Sequence, residues 1–435
     1  MTQTSTPIVP SLAQWETLAT KELKGSPAAL SRRVAHGIAL HALATEADRE
    51  GLAHLGELPG CAPFVRGAEA LQAPFALPTH VPDPSELEAL GTEAPLARSV
   101  LHLGPTFASV PALDRLVDIA GKRGVDPGHL RATIDFDPVG EFVTDRIDEA
   151  GFEKRLAEAA PLLRAVSLRS PMVRVLLLRS RWFQHQGADL VLETACAIAG
   201  GVTLVRGLER HGIAPDLVAS HLAFRFAVTT DIAAEIARLR IVRGLWAKIG
   251  RAFGVLHKSA LQMHQEAETS EVTCTTRDPH TNLVRSTLQA FAAAAAGCET
   301  LTVLPHDARE HRWSEFAVRI ARNQQRLLEH EGHLDRTADP FGGSYAIEAL
   351  SDRFGRAIWT ELQRIEKEGG LLVALRGPLK QRLAESLAER RRSFGSGEEV
   401  LIGSNKFQPM PGPLVHPPDA KLWHADDDVV TGGSR

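Results

Sequence analysis

Seven short stretches of strand-forming residues, set between amphipathic helical ones, constrain this chain more than any other feature. They are PFALP (74–78), SVLHLG (99–104), RATIDF (131–136), VRVLLL (173–178), LAFRFAV (222–228), EVTCTT (271–276) and TLTVLP (300–305). The helical patterns between them include SVPALDRLVDIAGKRG, GADLVLETACAIAGG, DIAAEIARLRIVRGLWAKIG and DPHTNLVRSTLQAFAAAAAG. Strand and helix alternating with few hairpin signals point to a parallel sheet, because a crossover helix is what returns the chain to begin a parallel neighbour. With 435 residues to place, a closed α/β barrel suits this alternation better than an open sheet.

Local punctuation agrees. Asp278-Pro279 sets a capping carboxylate before a first-turn proline, and Gly297 ends the alanine-rich stretch that follows. Asp231 is placed to cap a helix running through Lys248 to Gly250. On that helix Ile236, Leu239, Val242, Trp246 and Ile249 share one face while Arg238, Arg240 and Lys248 lie mostly off it, the pattern of a helix packed on a barrel strand. Leu12, Trp15, Leu18, Ala19 and Leu23 predict an amphipathic helix stopped at Gly25. GELPGCAPFVRG (56–67) is a loop, and the Gly- and Pro-rich sequence after residue 393 is a linker or an arm. Three segments result: an N-terminal helix and extended arm (1–70), a barrel (71–393) and a tail (394–435).

Composition excludes several functions. Lys and Arg number 49 against 53 Asp and Glu, a net −4 that offers no field for a polyanion, so nucleic acid is not expected as a partner. No run of 18 apolar residues and no leader-like start are present, and the expectation is a cytoplasmic protein without a membrane role. Cys61, Cys196, Cys274 and Cys298 form no Cys-x-x-Cys pair. No metal site is expected: His306 and His311 are five apart, and His330 and His333 flank Gly332, a helix-ending residue. Asp126-Pro-Gly-His129 and Asp339-Pro-Phe-Gly-Gly-Ser344 are turns. Neither a phosphate loop nor a Gly-x-Ser-x-Gly elbow occurs. The strand ends, where barrel chemistry is usually found, offer Asp135, Asp137, Arg179, Arg181, Trp182, Arg225, Glu268, Glu271 and His306, without a nucleophile–base–orienter triad. Tyr345 is the single tyrosine.

The span from Pro215 to Leu350 resembles the methylmalonyl-CoA mutase family of adenosylcobalamin-dependent isomerases. The resemblance is carried by IAAEIARLRIVRGLWAKIG, TRDPHTNLVRSTLQAFAAAAAGCETLTVLP and FAVRIARNQQRLLEHEGHLDRTADPFGGSYAIEAL. Within these, Arg319-Ile-Ala-Arg-Asn323 and the turn from Asp339 to Tyr345 are the most specific parts. It extends more weakly to the Trp15–Gly25 helix, to Pro63–Gly67 and to GADLVLETACAIAGG. The family implies a TIM-type (β/α)8 barrel whose hollow admits the pantetheine arm of an acyl-CoA, capped at its C-terminal mouth by cobalamin from a separate domain. That domain holds cobalt through an Asp-x-His-x-x-Gly loop. These 435 residues contain no such loop, so the chain is expected to bind no cobalamin alone.

Against the family pattern, Arg181 and Trp182 stand where a Tyr-His pair is usual. Asp135, after Thr133, replaces a glutamine. His221 and Ala223 replace an Arg-x-Ser, and Glu268 replaces a glutamine before Thr269-Ser270. The segment for the first strand is contracted between Gly67 and PFALPTH, implying a degenerate barrel short of one β/α unit. These departures resemble the small, non-catalytic subunit of the heterodimeric mutases. The expectation is an accessory component of an adenosylcobalamin-dependent methylmalonyl-CoA mutase, partnered by a large subunit or a separate cobalamin-binding subunit. Two alternatives are a catalytic barrel of a split mutase and a CoA-ester binding or regulatory protein. If the barrel is active, Arg181, Asp135, Glu268 and His221 are the catalytic candidates, with Thr133, Trp182, Thr269 and Ser270 for substrate.

Overall fold

The computed structural model describes residues 11–35, 37–70, 75–83, 86, 100–310 and 313–408. Among these, the strands are β1 (Arg32–Ala35), β2 (Ile38–Leu40), β3 (Pro78–Val81), β4 (Val100–Leu103), β5 (Arg131–Ile134), β6 (Val173–Arg174), β7 (Leu176–Arg179), β8 (Leu222–Val228), β9 (His264–Thr269) and β10 (Thr300–Thr302). β1 and β2 form an antiparallel hairpin that the sequence pattern does not reveal. All other pairings are parallel, in the orders β3-β4-β5-β6 and β7-β8-β9-β10.

The two sheets meet at both edges. β6 and β7 are halves of one run interrupted at Val175, and the Leu177 N–H donates to the Phe136 carbonyl at 3.0 Å. On the far side Ala76 bridges to Thr300, its N–H donating to Glu299 O at 2.9 Å while its carbonyl accepts from Leu301 N at 3.2 Å. With β6 and β7 counted as one, seven parallel strands close into a ring. The mixed α/β barrel predicted from the alternation is present, one strand short of eight among the described residues.

β8 shows how the ring is built. Leu222, Phe224, Phe226 and Val228 alternate with Ala223, Arg225 and Ala227, so successive residues face opposite sides of the sheet. The Phe224 ring lies 4.7 Å from that of Trp246 on the Ile232–Ala252 helix, which fixes the first set as outward. Gly201, on the Leu190–Arg210 helix, permits close approach at this point: a Cβ there would come within 2.7 Å of Phe224. The Leu190–Arg210 helix is long and apolar enough to cross a membrane, but 89% of its apolar window is buried in the core, as befits a helix hydrophobic all round.

Two expectations require correction, and one feature of the helix layer is new. The sixth strand is His264–Thr269, whereas Glu271–Thr273, inside the predicted strand, is a 3-10 turn. Asp278 caps no backbone: it accepts from the Thr281 hydroxyl, and the N-cap of the Thr281–Ala295 helix is His280 without a side-chain cap. Arg238 and Arg240, which helical spacing sets mostly off the apolar face, are nevertheless not exposed. Together with Arg243 they are almost fully buried, because the Tyr345–Lys367 helix covers the outside of the Ile232–Ala252 helix.

Each buried arginine has a defined set of acceptors. Arg238 donates to Glu193, Glu235 and the Ala227 carbonyl. Arg243 donates to the carbonyls of Phe64, Val65 and Ala296 and to Gln265. Arg240 donates to both carboxylate oxygens of Asp339 at 2.6 and 2.9 Å and to Glu348 at 2.9 and 3.1 Å. The Asp339–Ser344 turn is thus a clamp around a guanidinium. Gly342 is needed because a Cβ there would lie 2.4 Å from Asp339 Oδ2. Burial would raise the Glu348 carboxyl, but hydrogen bonds from His54 and Arg240 outweigh it and hold the group at about 2.

Removing Arg240 takes the shared, fully buried cation from two carboxylates, leaving Asp339 with Arg66 and Glu348 with His54, a loss of about 3–5 kcal/mol for breaking a buried pair. Arg240→Met should lower unfolding stability in urea by that amount at pH 7. Because Glu348 is depressed in the fold, its stabilisation is present above pH 4.5 and is lost as pH falls toward 2. The deficit of the variant should therefore shrink in acid; an unchanged deficit at pH 3 would contradict the clamp.

Candidate functional site

Alternation along β8 and β9 turns Arg225, Glu266 and Glu268 toward the barrel axis. Inside, the Glu266 carboxylate accepts from the Thr133 hydroxyl of β5 at 2.6 Å and from Arg225 Nε and Nη2 at 2.9 and 2.6 Å. Arg225 Nη2 also lies 2.9 Å from His102 Nε2, on β4. β4 and β5 are in one sheet and β8 and β9 in the other, so these contacts cross the lumen. All four residues are buried, Glu266 completely.

The charge states follow from the geometry. A guanidinium can only donate, so the facing His102 nitrogen accepts. Burial and then the Arg225 charge lower His102 to about 4, keeping it neutral at pH 7. Burial would raise the Glu266 carboxyl, but the Arg225 charge pulls it well below the ordinary carboxylate range. The hollow is therefore crossed by a self-satisfied polar crossbar.

Above it, at the C-terminal mouth, a second polar layer brings together three of the four catalytic candidates. Asp135 accepts from Arg179 and Arg181 stands 3.6 Å from Glu268. The Arg181 guanidinium also lies 4.5 Å from the centre of the Trp182 ring. Burial would raise Asp135, but the Arg179 charge and hydrogen bond bring it below its ordinary value. Burial lowers Arg181, in spite of Glu268. The Nε atoms of Arg179 and Arg181 and Oε1 of Glu268 are buried without hydrogen-bond partners. Asp137 accepts from Gly140 N at 2.8 Å, Arg179 N at 3.2 Å and Trp182 Nε1 at 3.0 Å, and burial pushes it up to about 6.

His221 is not brought to this mouth. It precedes Leu222 at the opposite, N-terminal end of β8, is 2% exposed, and its Nδ1 lies 2.7 Å from the Val173 carbonyl. The substrate candidates are internally engaged. Thr133 donates to Glu266, Trp182 to Asp137 and Ser270 to Gln184 at 2.6 Å, while Thr269 accepts from Leu304 N at 2.8 Å. His306 stacks on His280 at 5.5 Å, and His311 lies outside the described residues. Among those residues no group of three or more His, Cys, Asp or Glu is arranged to hold a metal ion.

Two members of the crossbar, Glu266 and His102, are absent from the sequence-based candidates. HQEAET carries polar residues on both faces, since outward Gln265 serves Arg243 while inward Glu266 serves Arg225. Apolar alternation is therefore missing, and the strand is displaced onto EVTCTT by pattern alone. The charge at alternate positions, His264, Glu266 and Glu268, is the signal that marks it.

The methylmalonyl-CoA mutase family model matches residues 82–421. The chain belongs to the methylmalonyl-CoA mutase family. It is 28% identical over 454 residues to a methylmalonyl-CoA mutase of Rhizobium meliloti (strain 1021), covering 91% of this chain and 64% of that protein. Identity is 35% over 285 residues with a methylmalonyl-CoA mutase small subunit of Streptomyces virginiae, over 65% of this chain and 45% of the relative. With the large subunit from the same organism it is 26% over 455 residues, 92% of this chain and 62% of that one. The chain thus spans less than two thirds of the length of these relatives.

Two tests bear on this geometry. Arg225→Ala leaves Glu266 buried and uncompensated and should cost about 3–5 kcal/mol, whereas Arg225→Met with Glu266→Leu should restore most of that loss. Urea unfolding of the single and double variants reads the difference; equal destabilisation by both would show that the crossbar is not a coupled unit. The second concerns Asp137, raised from 3.8 to about 6. The folded state then binds the proton more tightly than the unfolded, so this group's contribution falls as pH rises from 3.8 through 6. Asp137→Asn, although less stable at low pH for want of an acceptor for Trp182, should lose less stability than the parent between pH 4 and 6.5.

Proposed function

We propose that this chain is an accessory, small-subunit-like component of an adenosylcobalamin-dependent methylmalonyl-CoA mutase, acting by assembly with a catalytic partner. The observation that carries the reading is the crossbar: Thr133, Glu266, Arg225 and His102 join strands across the lumen where a pantetheine arm would have to pass. Threading an acyl-CoA would require a buried ion pair to be broken, at several kcal/mol, with little return from the substrate. The mouth supports the same reading, since its carboxylates and guanidiniums are directed at one another and the indole of Trp182 is held by Asp137. These residues do not fit a cobalamin site that this chain would assemble by itself, and adenosylcobalamin is assigned to the partner. The higher identity to a small subunit, over a shorter span, is in keeping with this role.

A partner needs a surface, and the Leu12–Leu23 helix offers one. It is closed by a Ser11/Gln14 capping box and a left-handed Lys24, yet none of its residues is buried, and Leu12, Leu18 and Leu23 are exposed. An isolated helix of this length is marginal in water, so an apolar stripe of this kind gains most of its stability by packing on another surface. We assign that surface to the partner subunit and the complex to the cytoplasm.

The competing reading, a catalytic barrel that borrows its cobalamin domain, is favoured by one observation: Arg181 remains 23% exposed at the mouth and could clamp a substrate carboxylate. Turnover of the complex reconstituted with its catalytic partner decides between them. With an accessory chain, Arg181→Ala should change turnover by less than about threefold, under about 0.7 kcal/mol. A drop of about a hundredfold, about 2.7 kcal/mol, with assembly intact by size-exclusion, would make Arg181 part of a working site and overturn the accessory role.

A further inference from the structure

The Glu315–His330 helix starts beside the barrel mouth: the Ser314 N–H donates to Asp307 at 2.8 Å, and Phe316 packs edge-on against His306 just beyond β10. Along it runs Arg319-Ile-Ala-Arg-Asn323, which takes no part in the crossbar, the mouth or the Asp339 clamp. Arg319, Arg322 and Arg326 are spaced three and four residues apart, share one face of the helix and are all exposed. With Trp313, Glu315 and Asn323 they line a groove of about 370 Å³, within the range of small-molecule sites.

Two features of this groove are unusual for a solvated helix face. The first is uncompensated charge. Arginines on neighbouring elements are engaged: Arg285 donates to Asn282 at 2.8 Å, and Arg309 stands 3.7 Å from Glu271. Among the described residues no carboxylate pairs with Arg319, Arg322 or Arg326, and Arg319 only overlies the Phe316 ring at 5.5 Å. Like charges at these spacings repel one another along a helix, so the row is relieved by an anion from outside. The second feature is an open indole. Trp313 is 46% exposed, whereas Trp15, Trp182, Trp246 and Trp359 are half-buried or buried.

Order along the groove narrows the ligand. Guanidinium forks take phosphate or carboxylate oxygens in bidentate fashion, and an exposed indole takes a flat ring. Trp313 and Glu315 lie at the N-terminal end, and the row from Arg319 to Arg326 then covers about 10.5 Å of helix. Glu315, the one carboxylate in the lining, repels an anion at the indole end but accepts from a neutral hydroxyl or amine. Ring, neutral donor, anion is the order of base, ribose and phosphates in a nucleotide, whereas an acidic peptide imposes no such order. We propose that this groove binds a nucleoside di- or triphosphate, with its base on Trp313, a sugar hydroxyl or base amine donating to Glu315, and its phosphates on Arg319, Arg322 and Arg326. The site is in the helix layer, outside the closed lumen, and does not depend on the accessory role. A nucleotide held there replaces positive charge on the rim with negative charge, and so changes what a partner meets at the mouth.

Isothermal titration of the full-length chain with ATP, in magnesium-free buffer at low salt, tests this. ATP should bind with a dissociation constant of about 0.1 mM or tighter. Inorganic tripolyphosphate, which has the charge without the base, should bind about fivefold more weakly or worse. Arg319→Gln with Arg322→Gln should weaken ATP binding about tenfold or more. Arg391→Gln with Arg392→Gln, at the exposed end of the Pro378–Ser396 helix, should leave it unchanged. Trp313→Ala should weaken ATP about fivefold or more without affecting tripolyphosphate. The substituted positions are all exposed, so urea unfolding of the variants should match that of the parent. No binding of ATP up to about 1 mM, or unchanged affinity in the Arg319/Arg322 double variant, would overturn the site. Tripolyphosphate binding as tightly as ATP, with Trp313→Ala without effect, would overturn the nucleotide in favour of a non-specific basic patch. A synthetic hexaglutamate peptide that binds more tightly than ATP, and is weakened by the same arginine changes, would overturn it in favour of an acidic protein segment.

Discussion

Everything inside the barrel depends on the contact between Arg225 and Glu266. It lies across the axis of a ring in which neighbouring strands are held by backbone hydrogen bonds but opposite strands have only side chains with which to meet. A guanidinium supplies five donors in a rigid fork and a carboxylate about four acceptor sites, so the pair can also engage Thr133 and His102 and leave neither charge uncompensated. The small neighbours Ala223 and Ala227 on β8 make room for the long side chain of Arg225. A methyl-bearing core of similar volume would hold the ring as well or better, since desolvation consumes most of the gain from a buried ion pair. What the polar crossbar adds is directional: a one-residue slip of β8 or β9 would turn a charge outward into the helix layer.

That helix layer obeys the same logic on the other side of the sheet. Arg238, Arg240 and Arg243 belong to one helix enclosed by the strands, the Tyr345–Lys367 helix and the Pro63–Val65 segment. Each is paired with groups that come from distant parts of the chain. Arg243 holds loop carbonyls near residue 64, Arg240 holds the turn at Asp339, and Arg238 holds Glu193 on the Leu190–Arg210 helix. A helix with these three anchors cannot rotate without exposing several unsatisfied groups at once, and this is why the segments around it share one register.

The alternation of strands and helices made the barrel legible in the residues, and the Gly-Gly run announced the turn at Asp339 that now holds Arg240. The crossbar was less legible because sequence pattern rests on apolar periodicity, and β9 alternates one set of polar residues with another. His221 illustrates a different failure. Correspondence to a family position says which strand a residue belongs to, but Nδ1 bound to the Val173 carbonyl at the foot of β8 makes it a tie between β6 and β8 rather than a group at the mouth. The burial of the arginines was not legible for a third reason: helical periodicity sets them off the apolar face, and only the tertiary position of the Tyr345–Lys367 helix encloses that side as well.

The placement of unsatisfied groups separates the two ends of the molecule's surface from its interior. Inside, the crossbar leaves Glu266 and Arg225 fully engaged. At the mouth, the Nε atoms of Arg179 and Arg181 and one oxygen of Glu268 lack hydrogen-bond partners among the described residues, and on the adjoining rim Arg319, Arg322 and Arg326 are exposed. Buried polar atoms without partners cost about 1–3 kcal/mol each. Exposed arginines cost far less because water solvates them. The mouth therefore carries the larger incentive for a further contact, and the rim supplies the accessible charge that can steer such a contact into place.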